Sequence, residues 1–186
     1  MRIWVFRGQL LNHSSRFSSA MTKPDITIRS ATAHDAEAIC RIYNPHIRGT
    51  IVSFEEIEVP VREMAERIIG VTSTFSWLVA TRADTVLGYA YASKWHGRTA
   101  YRHSAETTIY VEEAARGHGV GKELYSALLD RLRAMSLRTA LALIALPNAA
   151  SVALHEKCGF KKVGHLEAVG FKFGQWIDVG CWQIVL

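Results

Sequence analysis

The sequence predicts a single α/β (α+β) domain, and three observations point there. The chain has 186 residues, 49% of them hydrophobic, enough for one well-buried core and too few for two ordinary domains. Its apolar residues recur with period two or 3.6 in the order βααβββαβαββ, a mixture of strand runs and helices expected of layered α/β or α+β architecture. At 106–133 a strand, a glycine loop and a helix follow one another, a succession that makes an anion cradle.

Ile26 to Arg29 alternates as a strand, and Thr32-Ala-His-Asp35 reads as a cap leading into a helix with apolar Ala36, Ile39, Ile42 and Tyr43. Pro60 opens a second helix that is expected to stop at Gly70. Phe75 to Arg82 and Val86 to Ser93 form a hairpin about Ala83-Asp84-Thr85, and Thr107 to Val111 continues the sheet. A helix over 119–134, a strand over 139–145, a helix over 149–157 and strands near 160–166 and 178–185 complete the order.

The loop Arg116-Gly-His-Gly-Val-Gly-Lys122 carries the clearest chemistry. Glycine at 117, 119 and 121 lets the backbone approach a phosphate, and the following helix start points free N–H groups and a positive dipole end at it. The loop predicts a diphosphate ligand. It is not a P-loop, because Glu123 stands where a magnesium-binding hydroxyl is needed, and the third glycine comes one residue early for a dinucleotide fingerprint. What remains is Arg-x-x-Gly-x-Gly.

That loop, followed by Asn148-Ala-Ala-Ser-Val-Ala-Leu-His-Glu-Lys-Cys-Gly-Phe160, resembles the coenzyme A site of the GNAT acetyltransferases. Tyr43-Asn44, Ser53-Phe54-Glu55, Trp77 to Ala80, Ala145 to Asn148 and Gly170 to Gly180 narrow the resemblance to phosphinothricin N-acetyltransferases and their methionine sulfoximine and methionine sulfone relatives, from about Ile26 to Ile184. The resemblance implies a GNAT fold with a mixed sheet of six to seven strands, the fourth and fifth splayed apart. It implies acetyl-CoA as cosubstrate, a small amino-acid analogue as acceptor, and pairing of subunits into a homodimer through the C-terminal region.

Acetyl transfer to an amine needs a base, N–H donors for the thioester oxygen and an acid for the departing thiolate. By resemblance Glu106 is the base and His155, standing where many GNAT enzymes carry tyrosine, serves the leaving thiolate or assists the base. Gly117, His118, Gly119, Val120, Gly121 and Lys122 take the pyrophosphate, the backbone of Ile109, Tyr110 and Val111 the pantetheine arm, and Asn148 the pantetheine or the sulfur end. Arg98 and Tyr101 contact the acceptor's carboxylate or phosphinyl group, a guanidinium fork suiting such groups, with Phe54 as an apolar wall. Trp176 and Asp178 shape the pocket end or a dimer contact. His96 and His103-Ser104 depart from the lysine and Trp-Thr of phosphinothricin enzymes, which argues against the herbicide itself as preferred acceptor.

The net charge of +5 invites a nucleic-acid reading, yet Arg2, Arg7, Arg16 and Lys23 lie in the first 24 residues, where no acid occurs, leaving 18 basic against 17 acidic residues in the body. No nucleic-acid partner is expected. Residues 1–24 read as a disordered or non-native extension, with Met21 as an alternative start, ahead of one catalytic domain over 25–186. No apolar run approaches the roughly 20 residues that span a bilayer, so no membrane partner is expected. Cys40, Cys158 and Cys181 lack Cys-x-x-Cys spacing and read as buried thiols of a cytoplasmic protein without a metal site. Rival readings are an acetyltransferase for a protein N-terminus, polyamine or antibiotic, and a non-catalytic acyl-CoA sensor; Glu106 and Arg98 favour the small-acid enzyme.

Overall fold

The computed structural model describes residues 26–186, so the extension expected over 1–24 lies outside the described residues. Strands β1 (Thr27–Ser30), β2 (Trp77–Arg82), β3 (Thr85–Lys94), β4 (Ser104–Val111), β5 (Thr139–Leu146), β6 (Lys161–Lys172) and β7 (Gln175–Val185) form one sheet in the order β1-β2-β3-β4-β5-β7-β6. Helices α1 (Ala36–Gly49), α2 (Val61–Thr72), α3 (Val120–Ala134) and α4 (Ala149–Lys157) complete the expected succession βααβββαβαββ.

Helices cover both faces of the sheet, and β2 shows why its sequence is a continuous apolar run. Leu78 and Ala80 pack with Val120, Leu124, Leu128 and Leu132 of α3, while Trp77 and Val79 pack with Ile39, Ile47, Met64 and Ile68 of α1 and α2. A strand buried on both faces has no polar alternation to display.

Every neighbouring pair is antiparallel except β4 and β5, which run parallel. Their register holds for three pairs only, Ser104 with Thr139, Ala105 with Ala140 and Glu106 with Leu141. Beyond these the strands part, each keeping its antiparallel partner on the far side. The facing edges are thus left with main-chain groups that no strand satisfies.

Three features differ from the sequence expectation. β6 and β7 form a longer hairpin, reaching Lys172 and starting at Gln175, because Phe173 and Gly174 both take positive φ (52° and 74°) and close a two-residue turn. A bulge hides this in the sequence: β6 shifts register between Leu166 and Gly170, with Ala168 at φ 49°. Asp178 holds the bulge, its carboxylate accepting from the Ala168 N–H at 2.8 Å and lying 2.8 Å from His165 Nε2. α2 runs on to Thr72 past Gly70, since a helical glycine costs only about 1 kcal/mol against alanine. Of the three thiols only Cys40 is buried; Cys158 and Cys181 are half-buried, though all three are free as expected.

Candidate active site

The split between β4 and β5 opens a cavity of about 470 Å³. Successive residues of a strand point to opposite faces of a sheet, yet Glu106, Thr107, Thr108, Ile109 and Tyr110 all line this one space, as do Leu143, Ile144 and Ala145 of β5. Only a sheet that has come apart allows that. The cavity joins the α1/α2 side, with Tyr43, Phe54 and Glu55, to the α3/α4 side, with Asn148, Ser151 and His155.

Glu106 sits in the last pair before the strands part. Burial pushes its carboxyl above the ordinary range, which moves the group toward the basicity a proton acceptor needs. On the other side a chain of hydrogen bonds runs between two main-chain carbonyls. The Leu141 carbonyl lies 3.0 Å from Thr107 Oγ1, which lies 3.0 Å from Tyr125 Oη, itself 2.7 Å from His155 Nε2; His155 Nδ1 lies 2.7 Å from the Ser151 carbonyl. Burial lowers the His155 pKa against the opposing bond to Ser151, so the neutral imidazole donates Nδ1–H to that carbonyl and receives the Tyr125 proton at Nε2. Both ends of the chain only accept. Four contacts therefore share three protons when His155 is neutral, and an imidazolium would supply the fourth. The chain has room to take up a proton and hand one on.

Asn148 caps α4, its Oδ1 accepting from the Ser151 N–H at 3.1 Å, and so places Ser151 and His155 on the helix's cavity side. At the far end of β4 the glycine loop leads into α3. Gly119 is the cap residue at φ 88°, and Gly117 takes φ 79°, backbone that side chains rarely adopt. Glu123 N–H closes the first turn on the Gly119 carbonyl at 3.1 Å, leaving the amides before it without an intrahelical acceptor. Gly117, His118, Gly119 and Lys122 are exposed, Gly121 half-buried and Val120 buried in the core. Val111 ends β4, its carbonyl accepting from Arg116 Nε at 3.2 Å.

On the α1/α2 side the wall comes from the stretch between α1 and α2. Tyr43 Oη donates to Glu55 Oε1 at 3.0 Å and lies 2.7 Å from Ser53 Oγ, and Arg67 grips the same carboxylate through two bonds of 2.7 and 3.2 Å. Burial works to raise the Glu55 pKa, but Arg67 and Tyr43 overcome it and hold the group ionised. Phe54 lines the cavity, 45% exposed. Arg98 and Tyr101 lie on an exposed turn after β3, outside the cavity wall, where the Arg98 N–H bonds His96 Nδ1 at 3.3 Å and the His96 and Tyr101 rings stand 4.9 Å apart. Trp176 is 69% exposed and Asp178 is occupied with its bulge, so neither reaches the cavity.

The structure thus gathers Glu106, Ile109, Tyr110, Asn148, His155 and Phe54 around one space, leaving Arg98 and Tyr101 outside its wall. Sequence reasoning missed Tyr125 and Thr107, since a tyrosine among the apolar positions of a helix reads as core. Burial raises the Cys158 thiol pKa, against the nearby Lys122 and Lys157, which disfavours the thiolate that a nucleophile needs. Among the described residues no cluster of His, Cys, Asp or Glu is arranged to hold a metal, and no helix is long and apolar enough to cross a membrane.

Residues 28–180 match the acetyltransferase (GNAT) domain, and the chain belongs to that family of acyl-transferring enzymes. Within it, the chain is 39% identical over 158 residues to a phosphinothricin N-acetyltransferase of Streptomyces viridochromogenes, covering 85% of this chain and 86% of that one. It is 35% identical to an L-methionine sulfoximine/L-methionine sulfone acetyltransferase of Pseudomonas aeruginosa, over 86% of this chain and 94% of the other. A phosphinothricin acetyltransferase from Sinorhizobium meliloti, solved in complex with acetyl-CoA, superposes with a TM-score of 0.82 at 38% identity, over 87% of this chain and 88% of that one.

Proposed function

We propose that this chain transfers the acetyl group of acetyl-CoA to the α-amino group of a small amino-acid analogue, of the phosphinothricin, methionine sulfoximine or methionine sulfone type, by direct attack in a ternary complex. The observation that carries this reading is the split sheet, which lets a carboxylate of raised pKa and a proton-short chain ending at His155 face one cavity from opposite sides. The names of the relatives supply the acceptor class.

Acetyl-CoA brings an activated acyl carbon in its thioester. The residues present fit it: the glycine loop and the free amides at the start of α3 would hold a pyrophosphate, and the unpaired edge of β4 beyond Glu106, with Ile109 and Tyr110, would hold the pantetheine arm. Glu106 takes the proton of the acceptor ammonium, directly or through water; as the nitrogen bonds the acyl carbon and the C–S bond breaks, the nitrogen gives up a second proton, which the proton-short chain from His155 through Tyr125 to Thr107 takes up while a proton is handed to the leaving thiolate. Phe54 walls the acceptor's apolar stem, while Arg98 and Tyr101, on the exposed turn after β3, meet its anionic groups.

We further read the exposed apolar side chains of the β6–β7 hairpin, Val163, Val169, Phe171, Phe173 and Trp176, as the surface on which two copies pair. The three free thiols suit the reducing cytoplasm.

Thiol release from acetyl-CoA, followed across phosphinothricin, methionine sulfoximine, methionine sulfone, a polyamine and a test peptide, decides the acceptor. Turnover is expected on the amino-acid analogues. Turnover confined to the peptide or the polyamine overturns the acceptor class, and coenzyme binding without turnover on any of them makes the chain a sensor.

A further inference from the structure

The wall of the cavity over residues 52–55 has no regular secondary structure, so its position must be imposed from outside. We infer that Lys172 and Gly170 of β6 are positioning residues that clip this wall in place and thereby set the affinity for the acceptor amine; the inference rests on the acceptor reading above.

Lys172 is 3% exposed, yet its ammonium goes to main-chain carbonyls: it donates to Ser53 O at 2.6 Å and Thr50 O at 3.1 Å. The ring of Phe173 lies 5.0 Å from the same nitrogen and screens it. A buried charge is tolerated only where its hydrogen bonds are met, so the ammonium and those two carbonyls hold each other. The contact joins residues 119 positions apart, and the stretch it fixes carries Phe54 and Glu55.

Gly170 gives a second, independent contact between the same elements. A Cβ added there would fall 2.3 Å from Cε2 and Cζ of Phe54, so the Phe54 ring rests against bare strand backbone. Only glycine leaves that space, and the Asp178-held bulge just before it sets where Gly170 lies. Residues 170 and 172 thus fix the ring and the main chain of the wall together, from a strand whose own side chains do not line the cavity.

The test compares Lys172→Met, Lys172→Arg and Gly170→Ala with the parent protein by steady-state kinetics and by hydrogen exchange of the amides of residues 50–55. Lys172→Met and Gly170→Ala are expected to raise the acceptor KM about tenfold or more while the acetyl-CoA KM stays within about twofold, a split that separates lost acceptor binding from general damage. Lys172→Arg, which keeps the charge and the donors, is expected to recover part of that loss. Exchange over 50–55 is expected to quicken about tenfold in Lys172→Met, as in any segment that has lost its tether. Equal rises in both KM values, or an unchanged acceptor KM with unchanged exchange, overturn the inference. Should Lys172→Met not fold, Gly170→Ala decides by the same split. Should none of the acceptors be turned over, the acceptor reading fails, and exchange in residues 50–55 still decides whether the clip exists.

Discussion

The two sides of the split sheet present their polar groups on different kinds of backbone. On the α3/α4 side Thr107, Tyr125, Ser151 and His155 sit on a strand and two helices; Thr107 is hydrogen-bonded to Tyr125 and Tyr125 to His155 across elements, and His155 to Ser151 within α4. On the α1/α2 side Ser53, Phe54 and Glu55 come from a stretch with no regular structure. Regular elements fix atoms to within a hydrogen bond, which a proton chain requires, whereas loops can change shape without unpairing a strand. On the proposed mechanism the contrast divides the labour: the rigid side would handle the proton of the leaving group, common to every acceptor, and the looser side would decide which acceptor is held.

The largest effect is expected at the seam. Glu106→Gln keeps shape and removes the proposed base, so turnover should fall about 10²–10⁴-fold, the range for a positioned acid or base, while calorimetry should find acetyl-CoA affinity retained. An undiminished rate would remove Glu106 from the mechanism. Tyr125→Phe strikes the rigid side. It leaves Thr107 and His155 Nε2 buried without their shared partner, at a cost of about 1–3 kcal/mol in denaturant unfolding, together with a lower kcat. Phe54→Ala strikes the looser side, and because that ring is 45% exposed its loss should barely move stability while raising the acceptor KM about tenfold, close to what an apolar wall contributes. If Tyr125→Phe and Phe54→Ala shift stability and acceptor KM alike, the division between the sides is broken.

That same division governs how much was legible in the sequence. The order of elements and the glycine loop show themselves because each depends on local spacing, a turn that demands positive φ or a helix of the right length, whereas Asn148 and His155 were singled out through the resemblance of their segment to a known family. Tyr125 does not, because its role exists only once Thr107 and His155 arrive from other elements, and until then it is one more apolar position on α3. The position of Arg98 and Tyr101 relative to the cavity was equally hidden, since spacing along a turn says nothing of where the turn comes to lie. Lys172 stayed invisible for the same reason, its carbonyl partners lying over a hundred residues away. The far end of the β6–β7 hairpin was lost to a bulge that Asp178 holds from the neighbouring strand.

The smallest effect is a pH dependence of stability whose sign differs between the two sides. Burial lowers the His155 pKa below the ordinary imidazole value of 6.5. As pH falls through 6.5 the unfolded chain takes up this proton first, so the stability this group contributes above that pH is lost on acidification. Burial raises Glu106 above the ordinary glutamate value of 4.5, so here the folded chain takes up its proton first, and acidification toward 4.5 adds stability. Denaturant unfolding at pH 7.5 and pH 4.0, the lower value lying below both ordinary pKa values, separates the two. His155→Gln should lose less stability than the parent on going to the lower pH, and Glu106→Gln should lose more. Burial disfavours the charged form of each group, which gives opposite signs for a carboxyl and an imidazole, so the same sign in both variants would mean that one of the two is not desolvated by the cavity and would remove it from the proposed proton transfers.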